Sequence, residues 1–252
     1  MNLLNIDANA KTIKGQKKGF MTAILYLAPW KLSGYQVCPM AEVAGCVGDC
    51  LNTAGRGGMA KSDADTVSID GHVVKLNAIQ SARIARTRMF FEKRQEFLAQ
   101  LIKEINNAKK QAAKKDLTLV VRLNGTSDLR WEDVLVGDQT LFQIFSDIQF
   151  YDYTKIANRK VSHIPNYHLT FSFSARKEFE KFVAKALANY GDTVSFAAVF
   201  KSKTLPQQFL SRTVINGDES DLRFLDDKGV VVGLIAKGRA KKSTSGFVVE
   251  AA

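Results

Sequence analysis

All three cysteines of the chain stand within one stretch, CPMAEVAGCVGDC, as Cys38, Cys46 and Cys50 in the spacing C-x7-C-x3-C. Three thiols in one flexible loop suit a soft metal centre, since thiolate ligands select zinc, copper(I) or iron–sulfur clusters. Structural zinc usually takes four protein ligands, often as C-x2-C pairs. This loop has no such pair and no fourth cysteine, and the nearest histidine is His72. A [4Fe-4S] cubane held by three cysteines fits better, and it leaves one iron free for water, a small molecule or a non-cysteine ligand. Zinc and inert, packed thiols stay open as alternatives. A disulfide is disfavoured by the odd count and by the lack of a secretory signal.

Polar residues that would serve such a centre recur where the expected strands end. Asn124, Gly125, Thr126, Ser127 and Asp128 form a turn with hydroxyl, amide and carboxylate groups suited to an amine or a ribose. Tyr151, Asp152 and Lys155 follow the next strand, and Ser172, Ser174 and Arg176 the one after. Asp218, with Asp221, offers oxygen ligands for the open iron or for a substrate. A second function class comes from charge. The chain carries a formal net charge of +11, and its basic residues cluster. Arg83, Arg86 and Arg88 begin one group, and Lys237 and Arg239 belong to another. Such groups attract phosphate or nucleic acid, or else form a solvated helix face.

The elements that position these residues read as α/β. Phe20 to Ala28 is a continuous apolar run ended by Pro29, a buried strand that feeds the cysteine loop. VSIDGHVVKL reads as a small hairpin turning at Asp70-Gly71. Apolar residues at helical spacing predict one long helix from Ser81 to about Lys115. Further strands are expected at Leu117–Leu123, Ile148–Tyr153, Tyr167–Phe173, Thr193–Phe200, Thr213–Asn216 and Val230–Ala236. Helices are expected over Trp131–Asp147, Ala175–Tyr190 and near Leu205–Phe209. Buried strands alternating with helices pair in parallel with right-handed crossovers. The expectation is therefore a partial or complete TIM-like (β/α) barrel of six to seven parallel strands, with the cysteine loop after strand one; an open doubly wound sheet is the main alternative. Working residues of such barrels sit at strand C-termini. Residues 1–252 form one domain with a basic lead-in, 1–19, and a basic, flexible tail, 237–252. The chain has 252 residues and 46% hydrophobic content, enough for one large core. No apolar run spans a bilayer, so the expected location is the cytoplasm.

Two resemblances follow. NAKTIKGQKKGF, the cysteine loop with its AGRG, ARIARTRMFF, VVRLNGTSD and DLRFLDDKGVVVGLIAKGRAK resemble a bacteriophage family labelled only as gene product 88. That resemblance implies a viral origin, expression in the cytoplasm of a bacterial host, and no established activity. At fold level, a three-cysteine loop after strand one of a partial barrel is similar to radical S-adenosylmethionine enzymes. There the cysteines hold a [4Fe-4S] cluster, the open iron chelates S-adenosylmethionine, and a reductant is needed. That likeness implies the ligand role for Cys38, Cys46 and Cys50 and a cofactor role for Asn124-Gly125-Thr126. The spacing departs from that family's C-x3-C-x2-C, and Asp49 stands where an aromatic residue is usual. The alternatives are a non-enzymatic iron–sulfur redox or nucleic-acid-binding protein and a zinc-stabilised interaction protein.

Overall fold

The computed structural model describes residues 1–7 and 9–250. Thirteen strands and five α-helices follow in chain order: β1 Leu4–Ile6, α1 Ala10–Gly15, β2 Phe20–Leu25, β3 Thr66–Ile69, β4 His72–Lys75, α2 Ala78–Glu92, α3 Arg94–Ala113, β5 Thr118–Arg122, β6 Leu135–Val136, β7 Gln139–Thr140, α4 Leu141–Ile144, β8 Gln149–Thr154, β9 Tyr167–Ser172, α5 Glu180–Tyr190, β10 Phe196–Phe200, β11 Gln208–Phe209, β12 Arg212–Asn216 and β13 Val231–Ile235. Nine strands form one sheet in the order β1-β2-β5-β8-β9-β10-β13-β12-β11. Each neighbouring pair from β2 through to β12 is parallel, while β1 and β11 add antiparallel edges. All seven expected strands are present. The complete barrel is not: β1 and β11 end the sheet without pairing to each other, and β13 slots between β10 and β12.

Side-chain alternation sets the two faces. Met21, Ala23 and Leu25 of β2, with Leu119 and Val121 of β5 and the adjacent Leu123, pack against Phe97, Leu98, Leu101 and Ile105 of α3. The opposite face carries Val120 and Tyr151, covered by Leu222, Phe20 and Phe224. A second core, built on Phe171, Phe196, Phe200 and Val231, includes Phe179 and Ala186 on the α5 side. Ala44, Met40, Val43 and Cys46 of the cysteine loop pack into it. Each fully buried Leu or Phe contributes about 1.5–3 kcal/mol.

Several local expectations are corrected. The long helix breaks at Lys93 (φ −135, ψ 52) into α2 and α3. Trp131–Asp147 is only one turn of 3-10 helix, a small β6–β7 hairpin and the short α4, because Gly137 takes φ +63 and turns the chain. The segment near Leu205–Phe209 is extended rather than helical. Leu210 and Ser211 (φ +54 and +56) form a tight turn joining β11 to β12. β1 pairs with β2, and Asn9 with Thr12 caps α1. No helix among the described residues is long and apolar enough to cross a membrane.

Candidate metal centre

The cysteine loop leaves β2 through Leu27 and Ala28, both fully buried, and turns at Trp30, whose φ of +52 is rare for a bulky side chain. Short-range backbone bonds then wind it: Val37 N–H to Trp30 O, Ala41 N–H to Cys38 O and Cys46 N–H to Ala41 O. Three later segments anchor it. Asp128 N–H donates to Val37 O at 2.8 Å. The Cys38 thiol lies 3.7 Å from Thr126 O. Ser174 Oγ donates to Ala44 O at 2.8 Å, and Arg176 Nη1 to Glu42 O at 3.0 Å. The C-terminal segment, as far as residue 250, closes over this loop. Ser243 and Ser245 hydroxyls donate to buried Asp49 at 2.5 and 2.7 Å, Phe247 and Val249 are buried, and Val249 bridges to Phe200. Gly45 (φ +69) is required where loop and tail meet: a Cβ there would stand 2.6 Å from Arg176 Cδ and 2.9 Å from Ser245 O.

Cys38, Cys46 and Cys50 line a single cavity of about 70 Å³ with Pro29, Trp30 and His72 among its other walls. All three are free thiols. Burial raises every one of their pKa values. Cys38 is pushed well above its ordinary range by burial, opposed by the Trp30 backbone, with the other two sulfurs adding to the rise. Burial lifts Cys46, opposed by Lys155. Burial lifts Cys50 to about 11 against the Asn52 N–H.

Two buried or half-buried cations act on the cysteines, Lys155 and Arg83. Lys155 is buried. Its Nζ donates only to Ser172, at 2.5 Å to Oγ and 3.3 Å to the carbonyl, and lies 4.6 Å over the Phe247 ring. Burial lowers its pKa, while Cys46, Asp128, Cys38 and Cys50 pull the other way. Arg83 stands near Cys50, bonds Asn52 O at 3.2 Å and lies 5.0 Å over the Tyr26 ring.

Among the described residues, no three His, Cys, Asp or Glu side chains are arranged to hold a metal ion. Zinc with Zn–S bonds of about 2.3 Å needs its sulfurs converged on one point. A cluster bonds each thiolate to a different iron, so its sulfurs surround a volume instead. Cys38, Cys46 and Cys50 offer three soft donors around one cavity, and among the described residues the Lys155 ammonium has no ion-pair partner.

The other expected residues scatter. The Asn124–Asp128 turn abuts the loop, but its side chains serve the fold. Asn124 bonds Asp152, Leu129 and Ser127, and Thr126 Oγ1 bonds Leu27 O at 2.6 Å. Asp128 accepts from Thr154 and Lys155 N–H and lies 3.6 Å from Arg159. Gly125 permits close approach, since a Cβ would stand 2.7 Å from Ile24 Cγ2 and Leu25 O. Ser172 and Ser174 reach the site indirectly, through Lys155 and Ala44. Asp218 joins a different cluster, pairing Lys11 at 2.8 Å and Lys237 at 2.7 Å.

The basic patch divides. Arg86 is buried and donates to Asn2 O, and Arg83 turns toward Cys50, so neither faces a phosphate backbone. Arg88, Lys237 and Arg239 are exposed. Sequence reasoning missed His72 as a cavity residue. Its signal was the Asp70-Gly71 turn, which places His72 at the start of the returning strand. It also missed Asp49 with Ser243 and Ser245, for which no local signal exists.

A family profile described as Gene product 88 matches residues 2–251. No curated protein and no solved structure matches the chain, so the likeness to radical S-adenosylmethionine enzymes gains no support from comparison.

Proposed function

The chain belongs to the gene product 88 family, a phage family, and on that premise we propose that it is an iron–sulfur protein acting inside the infected host. Cys38, Cys46 and Cys50 would hold a [4Fe-4S] cluster at the C-terminal ends of the parallel strands. The observation that carries this reading is the pairing of one three-thiol cavity with a nearby buried lysine whose Nζ meets only neutral oxygens among the described residues. A buried ammonium is costly unless an anion balances it. Thiolates supply that anion, and neutral thiols do not. The cluster supplies one-electron redox chemistry and, with three cysteine ligands, one iron open to exchange.

This chain's residues supply the rest. Lys155 favours ionised Cys46. Phe247 covers the ammonium. Asp49, through Ser243 and Ser245, keeps the C-terminal segment closed over the loop. S-adenosylmethionine as the open-iron ligand has weaker support, because the side chains of the Asn124–Asp128 turn are engaged within the protein.

The test is anaerobic reconstitution with iron and sulfide, followed by quantification of both, visible absorption and EPR, with and without S-adenosylmethionine. About four irons and four sulfides per chain are expected, with loss of the visible band when each cysteine is changed to serine. Bound zinc without iron, or three serine variants that load like the wild type, would sink the proposal. Dithionite-dependent cleavage of S-adenosylmethionine separates an enzyme from an electron carrier.

A further inference from the structure

The β3–β4 hairpin takes no part in the nine-stranded sheet. Asp70 and Gly71, at φ +47 and +78, make its turn and place His72 opposite Ile69. Val67 and Val74 seat the hairpin on Ala28, Leu32 and Ile84. Two basic side chains latch it. Lys31 Nζ reaches Asp70 at 3.3 Å and Glu42 at 2.9 Å, tying the turn to the cysteine loop. Arg239 Nη1 donates to Val73 O at 3.1 Å, tying the second strand to the C-terminal segment. Held in this way, the hairpin contributes Ile69, His72 and Val74 to the wall of the three-cysteine cavity.

The His72 ring stands edge-on to Trp30, with centroids 5.4 Å apart at 85°. It also lies against Gly48, where an added Cβ would be 3.7 Å from both Nδ1 and Cε1. Gly48 separates Cys46 from Cys50. The imidazole therefore rests on the loop between its second and third sulfurs, and it makes no hydrogen bond to another described residue. Imidazole is a common ligand for iron. Metal-bound histidine ordinarily keeps one ring nitrogen for the metal and one for a second-shell partner. Here both nitrogens are without a hydrogen-bond partner among the described residues, and the ring lines the same cavity as the three thiols.

We propose that His72 is the fourth protein ligand, carried by the β3–β4 hairpin to the iron that Cys38, Cys46 and Cys50 leave open. The proposal rests on the iron–sulfur reading above and extends it. A hairpin latched by Lys31 and Arg239 makes this ligand removable, so a small molecule gains the open iron only when the hairpin lifts.

The test uses the full chain reconstituted under nitrogen, labelled or unlabelled with 15N-histidine, and examined by pulsed EPR in the reduced state. The expected result is a nitrogen hyperfine coupling that changes with the label and vanishes in His72→Ala, whose potential becomes more negative. His72 is exposed, so the variant should keep its fold, which a thermal melt checks. Lys31→Met, which unlatches the hairpin without removing the ligand, should weaken the coupling and speed cyanide binding to the open iron. A cluster that forms normally with no histidine coupling overturns the role of His72 and leaves the iron–sulfur reading standing. A wild-type protein that takes up no iron overturns both.

Discussion

Changing pH across the thiol range probes the cysteine cavity before any metal is added. Cys50 is held at about 11 against an ordinary 9.0 because burial penalises its thiolate. Two units correspond to about 2.7 kcal/mol and a roughly 100-fold smaller thiolate fraction at pH 8. Alkylation needs the thiolate. Iodoacetamide should therefore modify Cys50 of the metal-free protein about 100 times more slowly than an unhindered thiol at pH 8, with a rate that climbs tenfold per pH unit up to about pH 11. Site-resolved mass spectrometry reads this directly. The same shift governs stability. The folded state keeps the Cys50 proton between pH 9 and 11, where the unfolded state has lost it. Stability therefore falls across that window, by up to about 2.7 kcal/mol for this group. Loading has the opposite sign, because the ligands must deprotonate. Ionising a thiol of pKa about 11 costs about 5 kcal/mol at pH 7 and about half that at pH 9. Cluster uptake should thus release protons and strengthen steeply with pH. Alkylation of Cys50 at the bulk rate at pH 8, or uptake indifferent to pH, would refute the reasoning.

Four further outcomes are expected. Lys155→Met removes a buried charge and should stabilise the metal-free fold by about 1 kcal/mol or more in urea titrations, yet weaken cluster uptake. Parallel loss of both, or of neither, contradicts the counter-ion role. Gly125→Ala forces a methyl to within 2.7 Å of Ile24, Leu25 and Tyr26 atoms and should cost about 1–3 kcal/mol, read as a lowered Tm. Asp49→Ala strips the acceptor from Ser243 and Ser245. It should cost about 1–3 kcal/mol and expose residues 243–250 to limited proteolysis, whereas unchanged cleavage would mean the tail is held elsewhere. Asp218 is lifted by burial but brought down to about 2 by Lys11 and Lys237. Its contribution is present above about pH 4 and lost as pH falls toward 2, about 1 kcal/mol after allowing for its partial exposure. Asp218→Asn should flatten that acid limb in a pH-dependent melt.

Several strands, such as β2, β5, β10 and β13, were legible as apolar runs between polar breaks, as parallel strands buried on both faces tend to be. Their order was not, and the reason is instructive. Val231 to Ile235 is VVGLI, with its first three residues fully buried, whereas Arg212 to Asn216 is RTVIN, half-exposed throughout. That contrast marks β13 as central and β12 as peripheral, and it outweighs chain order. Gly233 adds a second constraint, because a Cβ there would meet Leu205 and Val214 at 2.9 Å. That the three cysteines line one cavity followed from their place in one loop. The inward commitment of Asn124 to Asp128 did not, because a polar turn looks alike whether its groups await a ligand or satisfy one another. Nothing local reveals that Ser243 and Ser245 answer Asp49 across nearly two hundred residues.

Charge balance joins these parts into one argument. With three neutral thiols, Lys155 would bury an ammonium against Ser172 oxygens and an aromatic ring, while nearby Asp128 is occupied by Arg159. Methionine would fill that space without a buried charge. Once ionised, three thiolates around a doubly positive core leave one negative charge, which a single lysine offsets. On the iron–sulfur proposal, the raised thiol pKa values and a lysine with no ion-pair partner among the described residues belong to one expectation: binding a core would ionise the sulfurs and balance the cation. A disulfide between two of the cysteines would consume the sulfurs and leave Lys155 as costly as before.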